Sequence, residues 1–258
     1  MVGTARWRRA QQYERSYWEA LAARIAQGSV SQLDWYRWRA EQLALRLRAL
    51  GLQHVCSGSA RVVEVGSGPI GVAGFFPAAE RVAVDPLEGF YASNLTLTKL
   101  RNPSVHYLAG VGERLPCENE AYDLAIIENC IDHVHDAHAV KRELCRVLKP
   151  HGVLYLTVNC RTGWGYVVHR LLSRLRIDPG HPYTFTPPRV KTFLDDGSFR
   201  ILNLEAGSYI EALRADLRTP DAKARLKALL GVSEFLATVV AARLTAAEMR
   251  AHSSQDDS

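Results

Sequence analysis

Apolar residues recur along this chain with two different periods. In "SQLDWYRWRAEQLALRLRALG", residues 31–51, Leu33, Tyr36, Ala40, Leu43, Leu47 and Leu50 fall at helical spacing while arginines fill the opposite face. This predicts a helix that Ser31 and Asp34 open as a capping box and Gly51 stops. Residues 5–27 read as an earlier helix rich in rings, with Trp7, Tyr13, Tyr17 and Trp18. Such rings serve either as packing against the next helix or as a lid over a pocket. From residue 61 the period shortens. "RVVEV", "RVAVD", "VHYLA", "YDLAIIE" and "GVLYLTV" are short apolar runs rich in β-branched and aromatic residues, most of them separated by amphipathic stretches. That alternation predicts an α/β fold with a doubly wound, mostly parallel seven-stranded sheet covered on both faces. Between the fourth and fifth runs, Asp136 can cap a helix whose Val140, Leu144, Val147 and Leu148 share a face, and Pro150 with Gly152 ends it. Farther on, "GYVVHRLLSRLR" reads as a helix, "DPGHPYTFTPP" as a loop, "FRILNLEA" as a strand and residues 211–230 as a charged helical insertion. "FLATVVAARL" fits a strand or a helix and is read as the last strand.

Composition narrows the architecture. With 258 residues, 47% of them hydrophobic, the chain can bury one large core. The expected organisation is a helical extension over residues 1–52, a main domain over 53–250 and a disordered tail, "AHSSQDDS", over 251–258. No apolar run approaches the roughly 18 residues a membrane span needs, and no apolar region follows the arginines of "MVGTARWRR". A soluble cytoplasmic protein with no membrane partner is expected. Five scattered cysteines without a C-x-x-C pair argue against a disulfide framework or a zinc knuckle. A net charge of +5, from 32 basic and 27 acidic residues in no long block, gives nucleic acid little support as a partner.

The stretch "VVEVGSGPIG", residues 62–71, reads as a buried strand, a glycine turn and a helix start, with Gly66, Gly68 and Gly71 at G-x-G-x-x-G spacing. Asp85 ends the next strand. Two cofactor classes fit. A nicotinamide dinucleotide would place its pyrophosphate on the turn and a ribose hydroxyl on the acid. Against it, Pro69 removes one N–H donor, and Glu64 puts a carboxylate close to where two phosphates would lie. A ligand that is cationic near the turn, with a ribose and no phosphate, meets neither objection. S-adenosylmethionine is such a ligand.

Residues 61–158 resemble the class I S-adenosylmethionine-dependent methyltransferases, in the branch with many small-molecule enzymes. The likeness rests on "VVEVGSGP", "VAVDP", "GERLPCENEAYDLAIIENCIDHVHD" and "ELCRVLKPHGVLYLTV", in family order. It implies that Glu64 and the backbone of Gly66, Ser67 and Gly68 border the methionine end of the cofactor. It also implies that Asp85 takes the ribose hydroxyls, that Pro86 and Leu87 flank the adenine and that Gly112 and Glu113 line its edge. Asn129, Cys130 and Ile131 would form the floor beneath the sulfonium. Two positions depart from the pattern. Ile70 stands where a third glycine is frequent, and Val111 where an aspartate is, so the adenine amino group needs another partner.

Methyl transfer asks mainly for alignment and exclusion of water, with a base only for a hydroxyl or protonated amine. His133 in "ENCIDHVHD" and His181 in "DPGHPYTFT" are the candidate bases, each also readable as a hydrogen-bonded loop residue. Asp132, His133, His135, Asp136 and His138 straddle a loop and a helix start without metal-ligand spacing, so no metal is expected. Nucleic-acid amine methyltransferases commonly carry Asn-Pro-Pro-Tyr where this chain has "ENCID". The expected acceptor is therefore a small molecule, such as a sugar or secondary metabolite, methylated on oxygen, nitrogen, carbon or sulfur. Tyr17, Trp18 and Tyr183 are the candidate acceptor-binding residues, with His181, under a lid formed by the first helix. The alternatives are an RNA-modifying methyltransferase, a nicotinamide-dependent oxidoreductase or epimerase, and a cofactor-binding module without turnover.

Overall fold

A computed structural model of the chain describes residues 4–28, 32–174 and 183–256. Two long helices, α1 (Thr4–Ala26) and α2 (Gln32–Ala49), precede the sheet. There follow β1 (Arg61–Val65), β2 (Glu80–Asp85), α3 (Glu88–Ser93), α4 (Leu95–Thr98), β3 (His106–Ala109), β4 (Tyr122–Glu128), α5 (Ala137–Val147) and β5 (Leu148–Cys160). The rest runs α6 (Gly163–Arg174), α7 (Pro187–Leu194), β6 (Phe199–Ala206), α8 (Tyr209–Arg218), α9 (Ala222–Leu229), β7 (Phe235–Arg243) and α10 (Ala246–Asp256).

Among the described residues the strands form one seven-stranded sheet in the order β3-β2-β1-β4-β5-β7-β6. Pairing is parallel from β3 to β5, and β7 runs antiparallel to both β5 and β6. "FLATVVAARL" is thus a strand, as its β-branched centre implies. Because β1 lies between β2 and β4, the chain reverses its direction of travel there, and the carboxyl ends of β1 and β4 flank a crevice.

The glycine turn departs from its sequence reading. No α-helix follows β1: the chain turns through residues 66–72 and reaches only a 3-10 turn at Ala73–Phe75. Gly66, Gly68 and Gly71 all take positive φ, 70°, 62° and 75°, which a helix cannot accommodate. The face left uncovered is taken by the N-terminal helices. Leu43 and Leu47 of α2 are fully buried and share one hydrophobic cluster with Trp18 of α1, Val62 of β1, Leu124 and Ile126 of β4 and Tyr155 of β5. The opposite face is closed by a second cluster that includes Val140, Leu144 and Val147 of α5 and Val190 and Leu194 of α7.

Local signals explain most element ends. Asp136 caps α5 by accepting from the His138 and Ala139 backbone N–H groups at 3.0 and 3.2 Å. Ser31, expected to cap α2, lies outside the described residues. Residues 251–256, expected to lack order, continue α10 instead. Its start is a reciprocal cap missed in the sequence: Thr245 N–H donates to Glu248 Oε2 at 2.7 Å and Glu248 N–H to Thr245 Oγ1 at 3.2 Å. All five cysteines are free thiols. Among the described residues no helix is long and apolar enough to cross a membrane.

If α2 is part of the core, Leu43→Ala should lower unfolding free energy by about 2–5 kcal/mol in urea denaturation, whereas the exposed Leu45→Ala should change it by less than about 0.5 kcal/mol.

Candidate active site

Asp85, at the end of β2, fixes the local geometry. Its Oδ2 accepts from Gly68 N–H at 2.9 Å and its Oδ1 from Leu87 N–H at 2.8 Å, while Gly66 N–H donates to Val84 O at 2.8 Å. One carboxylate therefore holds the turn after β1 against the turn after β2. Each oxygen keeps a second lone pair for a ligand. Burial raises its pKa to about 6, against the lowering effect of those two N–H groups.

The cleft beside it is lined by Gly66, Ser67, Gly68, Asp85, Pro86 and Leu87 on one side and by Asn129, Cys130 and His133 on the other. It continues past Pro86 to Val111, Gly112 and Glu113. The sequence reading thus gathered most of its candidates on one crevice. Cys130 keeps its proton, because burial and then the Asp85 charge push the thiol well above its usual range. Asn129 has a φ of 47° and anchors its loop by donating to Thr157 O at 2.9 Å.

The N-terminal helices cover this crevice. Trp18 and Tyr36 pack on Gly68 so closely that a Cβ there would come within 2.8 Å of the Tyr36 hydroxyl and 3.1 Å of Trp18 Cζ2. Gln11 and Glu14 of α1 and Trp35, Tyr36 and Arg39 of α2 complete the lining, with Glu128 at the end of β4. Arg39 donates to Glu128 Oε2 at 2.6 Å, and Trp18 Nε1 to Glu14 Oε1 at 2.9 Å. Gln11, Glu14, Arg39 and Glu128 escaped the sequence reading. Only Glu128 had a local signal, as the last residue of the "YDLAIIE" strand.

Several candidates lie elsewhere. Glu64 faces away from the cleft: its Oε2 accepts from Ala73 N–H at 2.8 Å, behind the turn, and burial raises its pKa to about 7. The turn folds back over this carboxylate, so that a Cβ at Gly71 would come within 2.7 Å of Glu64 Oε2. The charge objection to a pyrophosphate moves to Glu14, Asp85 and Glu128. Pro69 heads no helix, so the turn offers no helix N-terminus, and Gly68 N–H is already bonded to Asp85. Ile131 is in the core and not on the cleft floor. Glu113 Oε1 accepts from the His135 and Asp136 N–H groups at 2.7 and 3.0 Å, which makes it a loop anchor at the cleft's edge. Ile70, where a glycine is frequent, is buried, and its carbonyl accepts from Tyr107 Oη at 2.8 Å.

Tyr17 is half exposed and packs edge-on against Trp18 without lining the cleft. Tyr183 donates from its hydroxyl to His135 O at 2.9 Å and lines a different cavity. His181 lies outside the described residues. The acidic and histidine cluster is dispersed: His133 lines the cleft, His135 meets Trp7 edge-on with ring centroids 6.5 Å apart, Asp136 caps α5 and His138 faces the second cavity.

Comparison with known proteins agrees with this geometry. Residues 63–156 match the methyltransferase domain family. This stretch resembles a class I, S-adenosylmethionine-dependent methyltransferase domain. Over 102 residues this chain is 34% identical to an uncharacterized methyltransferase-like protein of Schizosaccharomyces pombe, which covers 38% of each chain. Over 121 residues it is 26% identical to a ubiquinone biosynthesis O-methyltransferase of Bartonella tribocorum, covering 43% of this chain and 49% of that one. The match thus spans less than half the length of either relative. In three dimensions the chain is similar to a Galdieria sulphuraria protein provisionally assigned as a sarcosine dimethylglycine methyltransferase. The TM-score is 0.60 at 16% identity, over 80% of this chain and 85% of the other, a likeness of fold.

The methyltransferase family uses S-adenosylmethionine, and the cleft fits it. Its sulfonium and ammonium are cations, and the lining carboxylates of Glu14, Asp85 and Glu128 outnumber the one arginine. Gln11 lines the cleft beside Val111, and its Oε1 is buried without a hydrogen-bond partner among the described residues, an acceptor left unused by the protein.

Glu64 generates a pH signature in the apo protein. Its folded pKa of about 7 lies above the ordinary 4.5, so the folded state holds the proton longer and stability falls as pH rises through that window. Glu64→Gln should remove up to about 3 kcal/mol of the fall between pH 5 and 8, measured by denaturation at each pH.

Proposed function

We propose that the chain transfers the methyl group of S-adenosylmethionine to a small-molecule acceptor. The observation that carries this reading is the charge of the cleft: Glu14, Asp85 and Glu128 against Arg39, around a turn with no helix N-terminus behind it. Such a site favours a cationic nucleoside over a dinucleotide. When bound, S-adenosylmethionine supplies an electrophilic methyl group whose departure leaves a neutral thioether.

In this reading Asp85 accepts from the ribose hydroxyls with the lone pairs left by Gly68 and Leu87. Gln11, on the adenine side of the cleft beside Val111, accepts from the adenine amino group in place of the missing aspartate. The neutral thiol of Cys130 and the loop around Asn129 form the floor. Trp18 and Trp35 wall the acceptor side, and α1 keeps water from the reacting carbon. His133 takes the proton of a hydroxyl or protonated amine. Its Nε2 lies 3.8 Å from Asp132 Oδ1, a buried carboxylate oxygen with no hydrogen-bond partner among the described residues, which stabilises the imidazolium as it forms.

Titration calorimetry should show S-adenosylhomocysteine binding and none for NAD; comparable NAD affinity would overturn the reading. Binding should weaken as pH falls below about 6, where Asp85 gains a proton and loses acceptor capacity. Asp85→Asn should cost at least about tenfold in affinity and abolish that pH dependence. For a hydroxyl acceptor, His133→Ala should lower turnover by about 10²–10⁴ with S-adenosylhomocysteine affinity little changed. Equal losses in both would make His133 a cleft-wall residue only.

A further inference from the structure

A second cavity, of about 830 Å³, opens between α5, α6 and α7 and has no part in the cofactor cleft. Three guanidinium groups line it: Arg6 from α1, Arg170 from α6 and Arg189 from α7. His138, on the first turn of α5, also lines it, and no aspartate or glutamate is among its described lining residues. Arg170 and Arg189 are gathered at the same ring, with their Cζ atoms 5.6 and 4.2 Å from the Tyr166 centroid. Arg170 also donates to Tyr166 Oη at 2.9 Å. Neither arginine has a carboxylate partner among the described residues. The nearby Lys141, whose ammonium lies 4.9 Å from the Phe193 centroid, is already paired with Asp196.

Two like charges held at one aromatic ring, with no carboxylate beside them among the described residues, repel each other, and the planar guanidinium fork matches phosphate oxygens in pairs. From these groups we infer that the cavity binds a phosphate or diphosphate group, with the Arg170 and Arg189 forks on its oxygens. Phe185 and Phe193 give the apolar body of a phosphate ester a surface beside them. The cavity also touches the cleft through α1. Arg6 faces the anion site while its neighbour Trp7 lines the cofactor cleft. An anion bridging Arg6 to α6 and α7 fastens α1 in its closed position.

The inference does not require the methyl-transfer reading, and its test separates the two. Inorganic diphosphate titrated calorimetrically into the full chain at low salt should bind at one site. Arg170→Ala with Arg189→Ala should weaken it at least about tenfold, and the paired lysine variant should recover part of that loss. S-adenosylhomocysteine affinity should stay within about threefold in the alanine variant, which certifies a folded protein. Diphosphate binding by the native chain that the alanine variant loses, in a chain that never binds S-adenosylhomocysteine, would leave the anion site standing and the methyltransferase reading fallen. No diphosphate binding by the native chain, or equal binding by the alanine variant, overturns the proposal. Diphosphate should also slow tryptic cleavage within α1 in the native chain and not in Arg6→Ala; equal rates would remove the fastening role. The source of the group follows from methyl incorporation into a metabolite pool before and after phosphatase treatment. Loss after treatment assigns the phosphate to the acceptor, and survival assigns it to a free anion.

Discussion

The site depends on one buried carboxylate. Asp85 ends β2 with both oxygens already accepting backbone N–H groups, one from each of two neighbouring turns. Those bonds let a charge persist where burial alone would remove it, and they tie the turn after β1 to the turn after β2. With a pKa near 6 the group is mostly ionised at neutral pH, and a further hydrogen-bond donor would favour that charged form. A ligand hydroxyl and the protein's own backbone then share one acceptor.

Around that carboxylate the fold is covered by its N-terminal helices. Residues 66–72 do not form a helix behind β1, so one face of the sheet would stand open there without α1 and α2. The same two helices supply Gln11, Glu14, Trp35, Tyr36 and Arg39 to the crevice. Core packing and ligand recognition are thus not alternatives for the N-terminal aromatics. Trp18 does both, buried among Leu21, Ala22 and Tyr36 while its ring meets the glycine turn.

The strands and α5 were legible because each carries its own periodicity and, for α5, its own cap. The crevice residues of motif origin were legible for a related reason: strand ends at a reversal of sheet order have fixed neighbours. What the sequence hid was orientation. Glu64 and Gly66 sit two residues apart, yet the carboxylate lies behind the turn while the glycine faces the cleft, and only the path of residues 66–73 decides that. Gln11, Glu14 and Arg39 were hidden because their role comes from how two helices dock on a distant turn, which no local pattern encodes. Ile131 was misplaced by one residue of loop geometry, with its neighbour Cys130 on the cleft and itself in the core.

The closeness of Trp18 and Tyr36 to Gly68 also has a kinetic side. With Trp18 and Tyr36 packed on Gly68, a ligand held between the turn and α1 would exchange most readily when α1 lifts. Because Leu21 and Ala22 are buried on the same helix, lifting exposes apolar surface and carries an activation barrier. Exchange would then be slow compared with diffusion and steep in temperature. In the proposed cycle, where the spent nucleoside must leave before the next one enters, the helix that shields the chemistry would also slow that exchange.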